Sequence, residues 1–110
     1  MREMTERPED LIRSSSLLVL LFGDEACAPC HALRNRLDAW ANRHPEAEAR
    51  YVPIREHPKT CAQMGIFSAP TVLITMDGQV VARESGVFSL DRMLETVERA
   101  LAIRDVEPFK

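Results

Sequence analysis

The chain has 110 residues, of which 45% are hydrophobic and 28% are charged, a length and composition that suit one domain with one core. The net charge of −3 argues against nucleic acid as a partner, because surfaces that bind nucleic acid are strongly basic. Three cysteines are an odd number and cannot complete a disulfide framework, so a cysteine pair here favours catalysis or metal binding.

The first half of the chain alternates between helical and strand patterns. A short helix is predicted to begin at Thr5 and end at Ser14. The run Leu17–Phe22 is apolar at every residue, which predicts a central strand covered on both faces. Apolar residues at helical spacing predict a helix from Ala28 to about residue 43. Ala49–Ile54 predicts a second strand, which we place at a sheet edge because its proline donates no backbone hydrogen bond.

The second half predicts a short helix, a hairpin and a final helix. Pro58–Met64 is the short helix, with Gly65 as its C-cap. Thr71–Met76 and Gln79–Glu84 are strands joined by a two-residue Asp-Gly turn. The final helix carries a buried stripe of apolar residues at helical spacing: Leu90, Met93, Leu94, Val97 and Leu101.

These elements predict an α/β fold with a four-stranded mixed β-sheet flanked by helices on both faces. A strand–helix–strand unit gives a parallel pair through a right-handed crossover, and the hairpin adds two antiparallel strands. We expect a single domain over residues 1–110, with loosely held termini at 1–4 and 105–110.

The apolar run Leu17–Phe22 also resembles the core of a short signal peptide. The segment before it is acidic, the run is shorter than a usual signal core, and Asp24 and Glu25 stand where a cleavage site would favour neutral residues. We therefore interpret the run as a buried strand and expect a cytoplasmic protein. The run is far too short to span a membrane.

Cys27 and Cys30 lie two residues apart, where the first predicted long strand passes into a helix. A Cys-x-x-Cys pair in this setting indicates a dithiol–disulfide redox site. The N-terminus of the helix favours a thiolate, and by position Cys27 is the attacking sulfur and Cys30 the resolving sulfur. Ala28, Pro29 and His31 are expected to tune the pair; the proline also suits a first helical turn.

From Leu17 to about Leu101 the chain resembles the thioredoxin family. Phe22–Cys30 is similar to that family's strand, loop and Cys-x-x-Cys segment, and Ser68-Ala69-Pro70-Thr71 is similar to its cis-proline turn. The resemblance implies a cis Ala69–Pro70 bond beside Cys27. It also implies that the backbone of Ala69 pairs with an extended substrate segment, and that Pro70 shapes the groove and keeps metal from the thiols.

The resemblance implies a thioredoxin-like thiol–disulfide oxidoreductase, more narrowly a reductase, which exchanges electrons with protein disulfides. It further implies a thioredoxin-reductase-type electron donor and no bound cofactor, because the electrons reside on the two sulfurs. We expect a monomer with neither nucleic acid nor membrane as partner. A non-catalytic module that binds proteins on the same fold is the alternative.

The chain departs from the family pattern around the cysteine pair. Ala26 stands where thioredoxins usually carry tryptophan, and the pair reads Cys-Ala-Pro-Cys rather than Cys-Gly-Pro-Cys. Leu21 stands at the position of a buried acid, and Tyr51 at that of the lysine often paired with it. Because that acid assists the resolving thiol, we expect a resolving step that is slower than in a typical thioredoxin or that has a different pH profile.

Two further interpretations compete for the same cysteines. The sequence Cys27-Ala-Pro-Cys30-His31 also matches the attachment motif of c-type haem, but the preceding strand and the proline turn fit redox exchange better. Adding Cys61 gives a nominal Cys₃His zinc set, of which the spacing supplies only one compact pair. We interpret Cys61 as a small, partly buried helix residue, with a regulatory thiol or an intermolecular disulfide as alternatives.

Overall fold

A computed structural model describes residues 1–106 of the chain. The strands in this part are β1 (Arg2–Glu3), β2 (Leu17–Gly23), β3 (Ala47–Pro53), β4 (Thr71–Met76) and β5 (Gln79–Ser85). The α-helices are α1 (Pro8–Ser14), α2 (Ala28–Asn42), α3 (Pro58–Gln63) and α4 (Leu90–Val106), and a 3₁₀ turn spans Ile54–Glu56. No helix in this part of the chain is long and apolar enough to cross a membrane.

The sheet has the strand order β1-β3-β2-β4-β5. β2 runs parallel to β3 and antiparallel to β4, and β5 closes the hairpin with β4. All seven residues of β2 are buried. This is the burial expected when an apolar run forms a strand that is covered on both faces. The predicted α/β fold with a mixed sheet is confirmed, and the sheet has five strands rather than four.

The alternation of side chains along β2 divides the core between the two faces of the sheet. Leu17, Val19 and Leu21 pack in the cluster that also holds residues of α2 and α4. Leu18, Leu20 and Phe22 pack in the cluster that holds residues of α1 and α3. Helices therefore cover both faces, which places the C-terminal end of β2 at the centre of one edge of the fold.

The fifth strand is the short β1, which pairs in parallel with Arg50 and Tyr51 of β3. Met4 follows it, is 3% exposed and donates its backbone N–H to the carbonyl oxygen of Tyr51 at 2.9 Å. The start of the chain is therefore held in the sheet instead of being loose. The placement of β3 at a sheet edge is wrong for the residues that β1 covers, although this pairing ends before Pro53.

Two helix boundaries differ from the predicted ones. α1 begins at Pro8 with Arg7 as N-cap, not at Thr5, because the chain before it pairs with β3 as far as Met4 and the backbone of Arg7 is still extended. α4 continues to Val106, so Asp105 belongs to a helix rather than to a loose tail. Residues 107–110 of the predicted loose tail lie outside the described part of the chain.

The C-cap of α3 is Met64, one residue before the predicted Gly65, and Gly65 takes the left-handed conformation that follows such a cap. Its φ is +72°, a value that glycine adopts without steric cost. Gly65 donates its N–H to Ala62 O at 3.0 Å and Ile66 donates to Cys61 O at 2.8 Å, which is the paired bonding of a Schellman motif. This turn sends the chain from α3 towards Pro70.

Candidate active site

The loop between β2 and α2 is fixed by the polar groups of Asp24. Its carboxylate accepts the N–H of Ala26 at 3.0 Å, and its carbonyl oxygen accepts the N–H of Cys27 at 2.9 Å. The other carboxylate oxygen accepts Nε of Arg55 at 3.0 Å. These bonds hold the chain as it turns from the central strand into the helix, with Cys27 in the extended N-cap position of α2.

Arg55 is a residue that the sequence pattern did not point to. It lies 31 positions from Asp24, in the 3₁₀ turn after β3, and no local period links the two. The N–H of Ala26 and then the Arg55 guanidinium hold the pKa of Asp24 below its usual range. A charged carboxylate therefore lies beside the cysteine pair, where it opposes a thiolate.

Cys27 and Cys30 are joined by a disulfide, with their Cα atoms 5.4 Å apart. The two residues differ in exposure. Cys27 is half-buried at the tip of the helix, whereas Cys30, one turn further in, is only 2% exposed. A second protein can therefore reach the sulfur of Cys27 far more readily than that of Cys30.

The Ala69–Pro70 peptide bond is cis, and the fold brings it next to the cysteine pair. Pro70 is buried and its carbonyl oxygen accepts the N–H of Gly86 at 3.0 Å, while Thr71 Oγ1 donates to Ser68 O at 2.7 Å. An open depression is shared by the two segments, and its lining residues are Asp24, Ala26, Cys27, Ala28, Pro29, Ala69 and Pro70. His31 lies on the exposed side of α2 and does not line this depression.

The position of the missing acid is wholly apolar. Leu21 is fully buried and lies in register between Tyr51 of β3 and Val72 of β4. A leucine side chain fills this point of the sheet, and the alignment of Leu21 with the acid of the family stays a prediction.

Cys61 lies apart from the redox pair. It is 1% exposed in α3, within the cluster on the opposite sheet face from Leu21, and this burial raises the pKa of its thiol. Among residues 1–106, no group of three His, Cys, Asp or Glu side chains is arranged to hold a metal ion. The residues of the nominal zinc set are thus not assembled in the described structure.

The family model described as Thioredoxin matches residues 3–99. Thioredoxin of Chlamydia trachomatis is 29% identical over 86 residues, covering 78% of this chain and 84% of that protein. Thioredoxin of Rhodospirillum rubrum is 28% identical over 94 residues, covering 84% of this chain and 90% of that protein.

Solved structures give the same result. Thioredoxin 1 of Thermosipho africanus is 26% identical with a TM-score of 0.70, and the match covers 80% of this chain and 98% of that one. A mutant thioredoxin of Halobacterium salinarum has a TM-score of 0.76 at 18% identity, over 90% of this chain and 88% of that one. The second match shows likeness of fold alone.

The strand-to-helix setting of a paired Cys27 and Cys30 makes this protein a thiol–disulfide oxidoreductase that acts on protein disulfides. The chain belongs to the thioredoxin family, because the family model spans nearly all of it. The resemblance drawn from the sequence is confirmed.

Proposed function

We propose that the protein is a protein-disulfide reductase in which Cys27 attacks the substrate and Cys30 resolves the mixed disulfide. The observation that carries this assignment is the difference in exposure between the two cysteines. Cys27 is half-buried and lines the depression that Ala69 and Pro70 also line, whereas Cys30 is 2% exposed. A substrate disulfide can reach the sulfur of Cys27, whereas the buried sulfur of Cys30 is left for the resolving step.

The reaction then runs in two exchanges. The Cys27 thiolate attacks one sulfur of the substrate disulfide, the S–S bond of the substrate breaks, and its other sulfur leaves as a thiolate that takes a proton from water. Cys30 next loses its proton and attacks Sγ of Cys27, which releases the second substrate sulfur. Two electrons have passed to the substrate, and the protein holds the Cys27–Cys30 disulfide that the structure contains.

The cis-proline segment supplies the substrate groove in this proposal. Ala69 is half-buried beside Cys27 and offers its backbone to an extended substrate segment, while the buried ring of Pro70 shapes the floor. Main-chain pairing gives affinity with little choice of sequence. Ala28 and Pro29 line the same depression, and His31 follows Cys30 on α2, which supports a tuning role for all three.

The proposed setting is the cytoplasm, with a reductase of the thioredoxin-reductase type returning the disulfide to the dithiol. The run Leu17–Phe22 forms the central strand, so the fold needs the segment that resembles a signal core. The protein would act as a monomer without a bound cofactor. The net charge of −3 argues against nucleic acid as a partner.

The test is the reduction potential of the Cys27–Cys30 couple, measured by equilibration with glutathione buffers. A potential of about −270 mV makes the protein a reductant, and one of about −120 mV would make it an oxidant instead. Cys27→Ser must abolish the couple, whereas Cys61→Ala, the matched cysteine control, must leave it unchanged. Absence of any reversible couple in the wild type would overturn the proposal and favour the binding module.

A further inference from the structure

Tyr51 packs directly against the backbone at the base of the active-site loop. Gly23 is the last residue of β2, and a Cβ atom built on it would lie 2.6 Å from Oη and 2.7 Å from Cε1 of Tyr51. These distances are well inside van der Waals contact. The tyrosine ring therefore occupies the space that a side chain at position 23 would need, and its own exposure is only 8%.

Arg34 of α2 is seated on the face of this ring. Its guanidinium carbon lies 4.4 Å from the ring centroid, and Nη2 donates to the carbonyl oxygen of Met1 at 2.5 Å. A cation over an aromatic face is attracted by the ring quadrupole, more strongly where water is partly excluded. The arginine is half-buried and held from two sides, so its charge has a defined position.

The position of this charge relates it to Cys30. Arg34 follows Cys30 by four residues on α2, and residues so spaced lie on one face of a helix with Cβ atoms about 5–6 Å apart. The Cα–Cβ bonds of a helix tilt towards its N-terminus, which directs the start of the Arg34 side chain towards the turn that holds Cys30. The contact with the ring of Tyr51 holds the guanidinium against the sheet instead of letting it extend into solvent.

The other charged groups around Tyr51 are carboxylates. Burial is the main reason that the pKa of Tyr51 is raised, and Asp24, Glu25 and Glu3 raise it further while Arg34 lowers it. These groups come from the active-site loop and from β1. Beside Arg34, the N-terminal ammonium of Met1 pairs with Asp38 at 2.5 Å, so these two charges offset each other. Leu21 is apolar, and His31, next to Cys30, is exposed. Arg34 thus opposes the negative charges that surround Tyr51.

We propose that Arg34 stabilises the Cys30 thiolate during the resolving step, and that Tyr51 is the positioning residue that holds Arg34 there. In a site without a buried acid, this cation makes the thiolate accessible near neutral pH. Cys30 gives its proton to water, its sulfur bonds to Sγ of Cys27, and the bond from Cys27 to the substrate breaks. The proposal rests on the proposed function of the pair.

The experiment is a stopped-flow reaction of the reduced protein with the aromatic disulfide DTNB, in a Cys61→Ala background. Attack by Cys27 releases one equivalent of the coloured thiolate, and resolution by Cys30 releases a second. In Arg34→Gln we expect the second phase to be about threefold slower at pH 7, with its pH midpoint moved upwards. The thiolate fraction of Cys30 should fall about tenfold in this variant, but the rate should fall less because a more basic thiolate is more nucleophilic.

Matched variants separate charge from structure. Arg34→Lys keeps the charge and should restore the wild-type profile, as should Tyr51→Phe, which keeps the ring. Tyr51→Leu removes the aromatic ring on which Arg34 packs and should behave like Arg34→Gln. Arg36→Gln removes an equal charge from an exposed position of the same helix, where the side chain pairs with Asp91, and should leave the second phase unchanged.

Three outcomes would overturn the inference. They are equal profiles for Arg34→Gln and Arg36→Gln, equal changes in Arg34→Gln and Arg34→Lys, and a difference in midpoint between the wild type and Arg34→Gln that does not shrink with added salt. The last test compares the two proteins at each salt concentration, because salt screens a charge effect but not a packing effect. Release of a single equivalent by the wild type would instead show that resolution does not occur, which is failure of the proposed function itself.

Discussion

At the scale of single residues, Gly23 is required for space rather than for backbone conformation. Tyr51 fills the position of its absent side chain, at 2.6 Å from a Cβ atom. We expect Gly23→Ala to lower the free energy of unfolding by about 1–3 kcal/mol, the usual range for overpacking a core site. Urea unfolding followed by fluorescence of Trp40, the single tryptophan, measures this change.

The control for this prediction is the same substitution in a Tyr51→Leu background. A leucine leaves room for the added methyl group, so Gly23→Ala should lower stability there by much less than in the wild type. The difference between the two backgrounds is the coupling free energy of the contact. Equal losses in both backgrounds would contradict the role given to the ring.

At the scale of elements, the ion pairs of Arg50 fasten the start of the chain to β3. Arg50 is 8% exposed and bonds Glu6, which lies between β1 and α1, at 3.0 Å, and Glu48 at the same distance. The hydrogen bond from Arg50 is the main cause that lowers the pKa of Glu6 from 4.5 to about 2. The folded protein therefore binds this proton less readily than the unfolded chain does.

The sign of the pH effect follows from linkage. The contribution of Glu6 to stability is fully present above about pH 4.5 and is lost as the pH falls towards about 2. We expect Glu6→Gln to be less stable than the wild type at pH 7, and this difference to shrink through that window. Glu95→Gln, which removes an exposed carboxylate of α4, is the control substitution in urea titrations at matched pH. A difference for Glu6→Gln that stays constant down to pH 2 would contradict the assignment.

At the scale of the whole molecule, the redox state and the stability of the fold are linked. The disulfide joins residues three apart in sequence at the start of α2. It lowers the conformational entropy of the unfolded chain. For so small a loop, the chain-entropy relation gives about 2 kcal/mol. We expect the oxidised protein to be more stable than the dithiol by about this amount, as measured by urea unfolding with and without reductant.

Cys30→Ser is the reference for that comparison, because it cannot form the bond. Its unfolding midpoint should not respond to reductant, and Cys61, buried in the other core cluster, should contribute nothing to the difference. A dithiol form as stable as the disulfide form would contradict the prediction. The same free energy makes the folded protein hold its disulfide more firmly than the unfolded chain does.

The sequence by itself determined the elements that carry a local signal. The unbroken apolar run of β2, the helical spacing along α2 and α4, and the Asp-Gly hairpin depend on residues a few positions apart, so their periods can be read from the chain. The Cys27–Cys30 pair and the Pro70 turn were recognised by short motifs for the same reason. These features were sufficient for the α/β fold and for the family.

Only the tertiary structure decided the contacts between distant segments. β1 is two residues long and shows no alternation, so its pairing with β3 could not be predicted, nor could the start of α1 at Pro8. The bond from Arg55 to Asp24, and the stacking of Arg34 on Tyr51 against Gly23, join residues from separate strands, turns and helices. Such contacts depend on where packed side chains meet in space, and a period along the chain carries no information about that.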